Sequence, residues 1–235
     1  MSRATETSRA GETRQTSPSQ TSLGVLISGT GSNLKAILDA IAKGTLDARV
    51  TVVISNVAGA PGLEWARAHG VSALVIDHKA FESRAAFDGA LVESLRAHDV
   101  EWVVLAGFMR VITPTLLDAF PFRIVNIHPS LLPAFPGLHA QRQALDYGVR
   151  VSGCTVHLVD AGTDTGPILA QSTVSVLDSD DERALSARIL AEEHALLPRV
   201  LQWIAEGRVR VVVSDGAGNE KRARVTVAEQ RGERT

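Results

Sequence analysis

The chain has 235 residues, 45% of them hydrophobic and 21% charged, with 24 Lys and Arg against 26 Asp and Glu for a formal net charge of −2. Such a length and apolar content suit one domain, at most two, with a sizeable core, and exclude disorder over most of the chain. The near-neutral charge argues against a nucleic-acid backbone or an anionic membrane as the main partner, and the single cysteine, Cys154, can form neither an internal disulfide nor a cysteine-rich metal site.

Residues 1–22 are mostly Ser, Thr, Arg, Glu and Gln and lack the apolar core of a secretory signal. Arg3, Arg9 and Arg14 among hydroxyl residues would suit a transit peptide, but Glu6 and Glu12 count against it, so a disordered tail on a soluble cytoplasmic protein is expected. Ordered sequence starts at Leu23. Leu23 to Ser28 is a short apolar run ended by Gly29, the pattern of a buried parallel strand. A helix is expected from Asn33 to Lys43, a strand from Ala48 to Ser55, a short helix from Pro61 to His69 and a third strand from Ala73 to Ile76. Ser83 to His98 is amphipathic, with Phe87, Leu91 and Leu95 four apart. Strands at Trp102 to Ala106 and Arg123 to Ile127 complete a β-α-β alternation, which implies an α/β fold: a Rossmann-like, mainly parallel twisted sheet with helices on both faces.

Beyond this the pattern changes to two longer strands, Val149 to Val159 and Ile168 to Val176, joined by the segment Asp160 to Gly166. A helix from about Asp180 to Ala205 follows, with Ser179 and Glu182 spaced as a capping box. The organisation expected is a tail over 1–22, a catalytic domain over 23–207 and a C-terminal hairpin and tail over 208–235, the hairpin pairing Val209 to Val213 with Arg222 to Val227.

Six places could carry chemistry. Gly29-Thr-Gly-Ser-Asn33 lies between the first strand and the first helix, where glycines and free helix N–H groups make an anion site. Leu34 stands where a dinucleotide loop would have its third glycine, and Asn56 where it would have a ribose-binding acid, so a lone phosphate fits better than NAD; a plain tight turn is the alternative. Asn126 and His128 lie two apart at a strand end and share one face, with Pro129 turning the chain out of the sheet. A donating amide beside an imidazole can stabilise an oxygen that is becoming negative; the alternative is a histidine held by a loop carbonyl.

Asp160 and Asp164 lie in a polar loop where acids usually form turns, but Gly162 and Gly166 would let Asp164 approach another element. Glu193 falls within the apolar stripe of the last helix, as a ligand for hydroxyls or as the partner of Arg188 or Arg199. The segment 107–112 could bind a flat heteroaromatic ligand with an acidic tail, or could pack Phe108, Met109 and Ile112 in the core. Arg84 opposes the dipole at its helix start, which hints at a role outside the helix. His78, His98 and His194 read as surface residues, and His139 and His157 have no arguable partner. No pair has metal-ligand spacing, so no metal is expected.

The segments Val25 to Asn33, Leu105 to Arg110, Asn126 to Pro133 with Phe135 to Gly137, and Asp160 to Pro167 together resemble the glycinamide ribonucleotide formyltransferases, in order and in register from about Leu23 to Ala205. The resemblance implies formyl transfer from 10-formyltetrahydrofolate, a co-substrate, to the amine of glycinamide ribonucleotide in de novo purine synthesis. It implies a catalytic trio of Asn126, His128 and Asp164, with Asp164 orienting His128 and a proton-relaying water. It assigns the ribonucleotide to Gly31, Ser32, Asn33 and Glu193, and the folate to Arg84, Met109, Arg110, Val111, Ile112 and Asn126. The expected partners are these two small molecules, with no nucleic acid and no membrane; a homodimer is compatible with an α/β enzyme of this size. Methionyl-tRNA formyltransferases and formyltetrahydrofolate hydrolases share the trio. The roughly 30 residues after the last helix are few for a basic tRNA-binding domain, and the tail is short for a regulatory one.

Overall fold

The computed structural model describes residues 20–215 and 221–229. Along the chain run β1 (Thr21–Ile27), α1 (Ser32–Ala42), β2 (Ala48–Ser55), α2 (Gly62–Ala68), β3 (Ser72–Val75), a 3-10 turn (His78–Ala80), α3 (Arg84–Ala97) and β4 (Trp102–Leu105). There follow α4 (Pro114–Ala119), β5 (Ile124–His128), α5 (Ala140–Tyr147), β6 (Val151–Leu158), β7 (Ile168–Ser175), α6 (Glu182–Ala205), β8 (Val209–Asp215) and β9 (Lys221–Val227). The first seven strands form one sheet in the order β3-β2-β1-β4-β5-β6-β7. Neighbours are parallel from β3 to β5, while β6 is antiparallel to both β5 and β7.

The strands are apolar on both sides because both sides are covered. In β1, Leu23, Val25 and Ile27 face a core completed by Leu34 and Ile37 of α1, Leu63 of α2 and the Leu185–Ile204 stripe of α6, while Leu26 faces Phe87, Leu91 and Leu95 of α3 and Leu116 of α4. Gly24 lies on that second side because a Cβ would stand 2.5 Å from Leu95 Cδ2. β8 and β9 form a separate antiparallel ribbon, and Val209, Val211 and Val225 rest on the first core. No helix among the described residues is long and apolar enough to cross a membrane.

Several expectations change in detail. β1 begins at Thr21 rather than Leu23, because the Ser22 hydroxyl donates to Asp99 O (2.6 Å) and accepts from Glu101 N (3.1 Å), tying the strand start into the sheet. Residues 1–19, most of the expected tail, lie outside the described residues, as does the hairpin tip at 216–220. α4 and α5 have no counterpart in the sequence reading. The start of α6 is not a Ser179–Glu182 box: Asp181 is the cap, accepting from Ala184 N at 2.7 Å. Asp180, one residue earlier, accepts from Leu177 N and is gripped twice by Arg188, which holds its carboxyl down at about 2.

Candidate active site

The strand order reverses between β1 and β4, so a crevice opens beyond their C-terminal ends, the usual ligand position in such sheets. Gly31 caps α1 with φ 71°, and no side chain caps the helix, which leaves its first N–H groups free for an anion. A Cβ on Gly31 would lie 2.6 Å from Gly62 Cα, and Gly62 N donates to Gly29 O at 3.1 Å. The glycine loop is thus both a tight turn packed on α2 and an open helix start; the two readings of the sequence are compatible.

Asn33 and Glu193 meet across the α1–α6 seam. Asn33 Nδ2 donates to Glu193 Oε2 at 2.7 Å, and the two residues are 7% exposed. Burial pushes the Glu193 carboxyl above its ordinary value, against the opposing Asn33 hydrogen bond. The arginine alternatives for Glu193 are not realised: Arg188 is engaged by Asp180, and Arg199 lies over the Trp203 ring at 5.6 Å. Asn33 Oδ1 is buried without a partner, an acceptor for which a ligand donor would compensate.

Beyond β5, the three residues of the expected trio come together with a fourth. Asn126 and His128 share one face of β5, while Ile127 is buried on the other, in the first core. His128 Nδ1 is 3.3 Å from Asp164 Oδ2, and its Nε2 is 2.9 Å from Phe135 O, a carbonyl to which it must donate. The alternative of a histidine held by a loop carbonyl is therefore also realised, alongside the Asp164 contact. Asp164 adopts φ 55°, and its Oδ2 accepts from Gly137 N at 2.8 Å, so the loops 133–139 and 159–167 lock together over the imidazole. The glycines beside it are needed: a Cβ on Gly166 would stand 1.8 Å from Leu158 O, and one on Gly162 2.0 Å from Thr165 Oγ1. Asp160 is the ordinary turn acid, accepting from Gly162 N and Thr165 Oγ1.

His157 is the residue that sequence reasoning missed. It pairs with Asn126 across the β5–β6 ladder and is 1% exposed. Its Nδ1 lies 2.9 Å from Leu158 O, which only accepts, so Nδ1 carries the proton and Nε2 is free to accept from Asn126 Nδ2 at 3.1 Å. Burial lowers the His157 pKa, despite the backbone bond and nearby Asp164, and so favours this neutral form. His157 thereby fixes which way the Asn126 carboxamide points; its Nε2 is also 3.7 Å from Asp164 Oδ1. Nothing in the spacing of one strand signals this, because the contact depends on β6 running antiparallel to β5.

The expected folate loop divides. Phe108 is buried and stacks on Phe87 at 6.5 Å, and the half-buried Ile112 packs on the second core, as the core alternative had it. Met109 and Val111 are 65% and 63% exposed, with the half-buried Arg110 between them. Arg84 is exposed one turn before Phe87 and Asp88, which both touch the segment 108–113: Asp88 accepts from Thr113 N at 2.6 Å and from Thr113 Oγ1 at 2.7 Å. Apolar side chains left exposed next to two cations fit a flat ring with an acidic tail. The histidines read as surface residues are instead half-buried: His78 lies against Asn56, His98 donates to or accepts from Ser72, and His194 has a buried Nε2 with no partner.

Comparison with known proteins identifies the family. Residues 22–201 match the family described as formyl transferase. A glycinamide ribonucleotide transformylase structure from Symbiobacterium toebii is 51% identical, covers 94% of this chain and 100% of its own, and superposes with a TM-score of 0.85. The Escherichia coli phosphoribosylglycinamide formyltransferase is 44% identical over 80% of this chain and 88% of its own length. A trifunctional purine biosynthetic protein of Drosophila pseudoobscura is 48% identical over 88% of this chain, which spans 15% of that longer protein. On the strength of these matches and of the site they surround, the chain belongs to the formyl transferase family, in its phosphoribosylglycinamide formyltransferase branch.

Proposed function

We infer that the protein transfers the formyl group of 10-formyltetrahydrofolate to the amine of glycinamide ribonucleotide, giving N-formylglycinamide ribonucleotide and tetrahydrofolate in de novo purine biosynthesis. The observation that carries this reading is the convergence of Asn126, His128 and Asp164, with His128 Nδ1 3.3 Å from Asp164 Oδ2 and Asn126 fixed by His157 at 3.1 Å.

Attack on a formyl carbon puts negative charge on its oxygen, and preorganised N–H donors lower that barrier most. Asn126 Nδ2 carries two hydrogens; His157 holds one, and the other is left for the formyl oxygen. The His128 Nε2 proton, held by Phe135 O in the free protein, is the second donor, and Asp164 orients the ring and compensates an imidazolium. Asp164 is also the carboxylate to which, through water, the attacking amine loses its proton; the same water returns a proton to N10 of the folate as the formyl C–N10 bond breaks and tetrahydrofolate leaves. The co-substrate supplies the activated one-carbon unit; Met109, Val111 and Ile112 would receive its ring, with Arg84 and Arg110 for its acidic tail. The free N–H groups of Gly31, Ser32 and Asn33 would hold the ribonucleotide phosphate, and Glu193 its ribose hydroxyls. With polarisation supplied by Asn126 and His128 the transfer calls for no metal ion, and both substrates belong to a cytoplasmic setting.

The test is to incubate the protein with 10-formyltetrahydrofolate, with and without glycinamide ribonucleotide, and follow tetrahydrofolate and formylated ribonucleotide together. Turnover that needs the ribonucleotide and is lost in His128→Ala supports the reading. Equal release of tetrahydrofolate and formate without the acceptor would make the protein a hydrolase, and binding of both ligands without turnover would overturn catalysis altogether.

A further inference from the structure

Four strands that are neighbours in the sheet, β3, β2, β1 and β4, each send one group from just beyond their C-terminal ends into a single hydrogen-bonded chain. His78 follows β3, Asn56 follows β2, Ser28 follows β1 and Met109 follows β4. Met109 N is 2.8 Å from Ser28 Oγ, Ser28 Oγ is 2.6 Å from Asn56 Oδ1, and Asn56 Nδ2 is 3.2 Å from His78 Nδ1.

Its direction is fixed from end to end. The Met109 amide can only donate, so Ser28 Oγ accepts from it and spends its own hydrogen on Asn56 Oδ1. That aims Asn56 Nδ2 at His78, whose Nδ1 must accept. Ser28 N also donates to Gly107 O at 3.1 Å, so both sides of the turn that launches the segment 107–112 are held by one serine. Asn56 is 5% exposed, with its Oδ1 and Nδ2 each engaged within the protein. A second, apolar line runs the same way: His78 meets the edge of Phe87 at 6.2 Å, and Phe87 stacks on Phe108, the residue before Met109.

We propose that Asn56 is a positioning residue for the folate, acting through Ser28 on the backbone of Met109, and that His78 sets the orientation of Asn56. The inference rests on the folate reading of the 107–112 loop given above. Asn56 touches neither the trio nor the Asn33–Glu193 seam, so it acts on one substrate only. It also explains why a buried asparagine stands where a dinucleotide-binding fold would place an acid: its amide is turned to the neighbouring strand ends and not to a ribose.

Steady-state kinetics of Asn56→Ala, Ser28→Ala and the double variant test this, with thermal melts of each. Loss of the hydrogen bonds that steady the Met109 backbone predicts a KM for 10-formyltetrahydrofolate raised roughly three- to tenfold in either single variant. The KM for glycinamide ribonucleotide and kcat should stay within about twofold. Because Asn56 acts through Ser28, the double variant should be no worse than Ser28→Ala alone, a non-additivity that general loosening would not produce. His78→Leu should give a smaller rise that disappears in the Asn56→Ala background. An unchanged folate KM, parallel rises for both substrates, or additive effects would overturn the inference. Arg110→Ala separates the two levels. If it raises the folate KM while Asn56→Ala does not, the chain of bonds has no such role; if neither does, the folate reading of the loop falls and this inference with it.

Discussion

The two sides of the crevice are built in opposite ways. On the side proposed for the ribonucleotide, the chain presents main-chain N–H groups at a helix start and one buried acid already held by Asn33. On the side proposed for the folate it leaves Met109 and Val111 more than three-fifths exposed, on a loop anchored by the Ser28 bond to Met109 N, by Phe108 on Phe87 and by Asp88 on Thr113. Buried polar groups are costly unless paired, so the first side is fixed by the Asn33–Glu193 bond, while Asn33 Oδ1 is left for a ligand donor. Exposed apolar groups cost little to leave in water, and their contribution comes when a ring covers them. One side should therefore resist substitution through geometry and charge, the other only through contact area.

The proposed trio of Asn126, His128 and Asp164 should show the largest effect. Asp164→Asn keeps an oxygen for Gly137 N but loses the charge facing His128 Nδ1, so kcat should fall by roughly 10²–10⁴ with little change in either KM. Stopped-flow or steady-state tetrahydrofolate release reads this directly, and a change confined to KM would place Asp164 in binding instead.

Glu193→Gln separates charge from shape. The amide oxygen can still accept from Asn33 Nδ2, but a charge-assisted bond to ribose hydroxyls is lost, so the KM for glycinamide ribonucleotide should rise roughly tenfold or more. Stability should move the other way. Burial holds the folded-state pKa of Glu193 above its unfolded value. Between those two values the folded chain binds more protons, so stability falls as pH rises and the full cost of the buried carboxylate is present above the window. Removing it should raise Tm at pH 7 by about 2–4 °C, the shift that about 1 kcal/mol gives in a chain of this size. That gain should vanish as the pH drops below the ordinary glutamate range. A Tm that falls at pH 7 would mean that Asn33 and Glu193 form a stabilising pair rather than a binding site held ready.

What could be read in advance divides along similar lines. The parallel half was legible because its strands are apolar on both faces and its first helices carry regular stripes; β2 occupies the expected Ala48–Ser55. α5 was not, since it buries only Ala140 and Ala144 and therefore has no large apolar periodicity, and α4 is a six-residue helix. Resemblance brought Asn126, His128 and Asp164 together on paper, but their contact depends on φ 55° at Asp164 and on a chain reversal that no local pattern encodes. His157 escaped because its partner lies 31 residues away, on a strand whose direction sets the match. Met109 and Phe108 show the limit most plainly: two adjacent apolar residues, one stacked in the core and the other exposed, are told apart only by which side of the loop each occupies.

Substitutions on the exposed side should be the mildest. Met109→Ser removes apolar area that is 65% exposed in the free protein, so it has little packing to lose and Tm should change by less than about 1 °C. Its cost appears only when the ring is bound: loss of the covered methylene and thioether surface predicts a folate KM raised roughly three- to tenfold, with the ribonucleotide KM unchanged. The Ser28 bond to Met109 N is made by the backbone and survives the change, which keeps the loop in place. A folate KM that stays the same would mean that the side chain is not part of the pocket. A loss of several degrees in Tm would mean that the folate side is as prestructured as the ribonucleotide side, and the contrast between them would disappear.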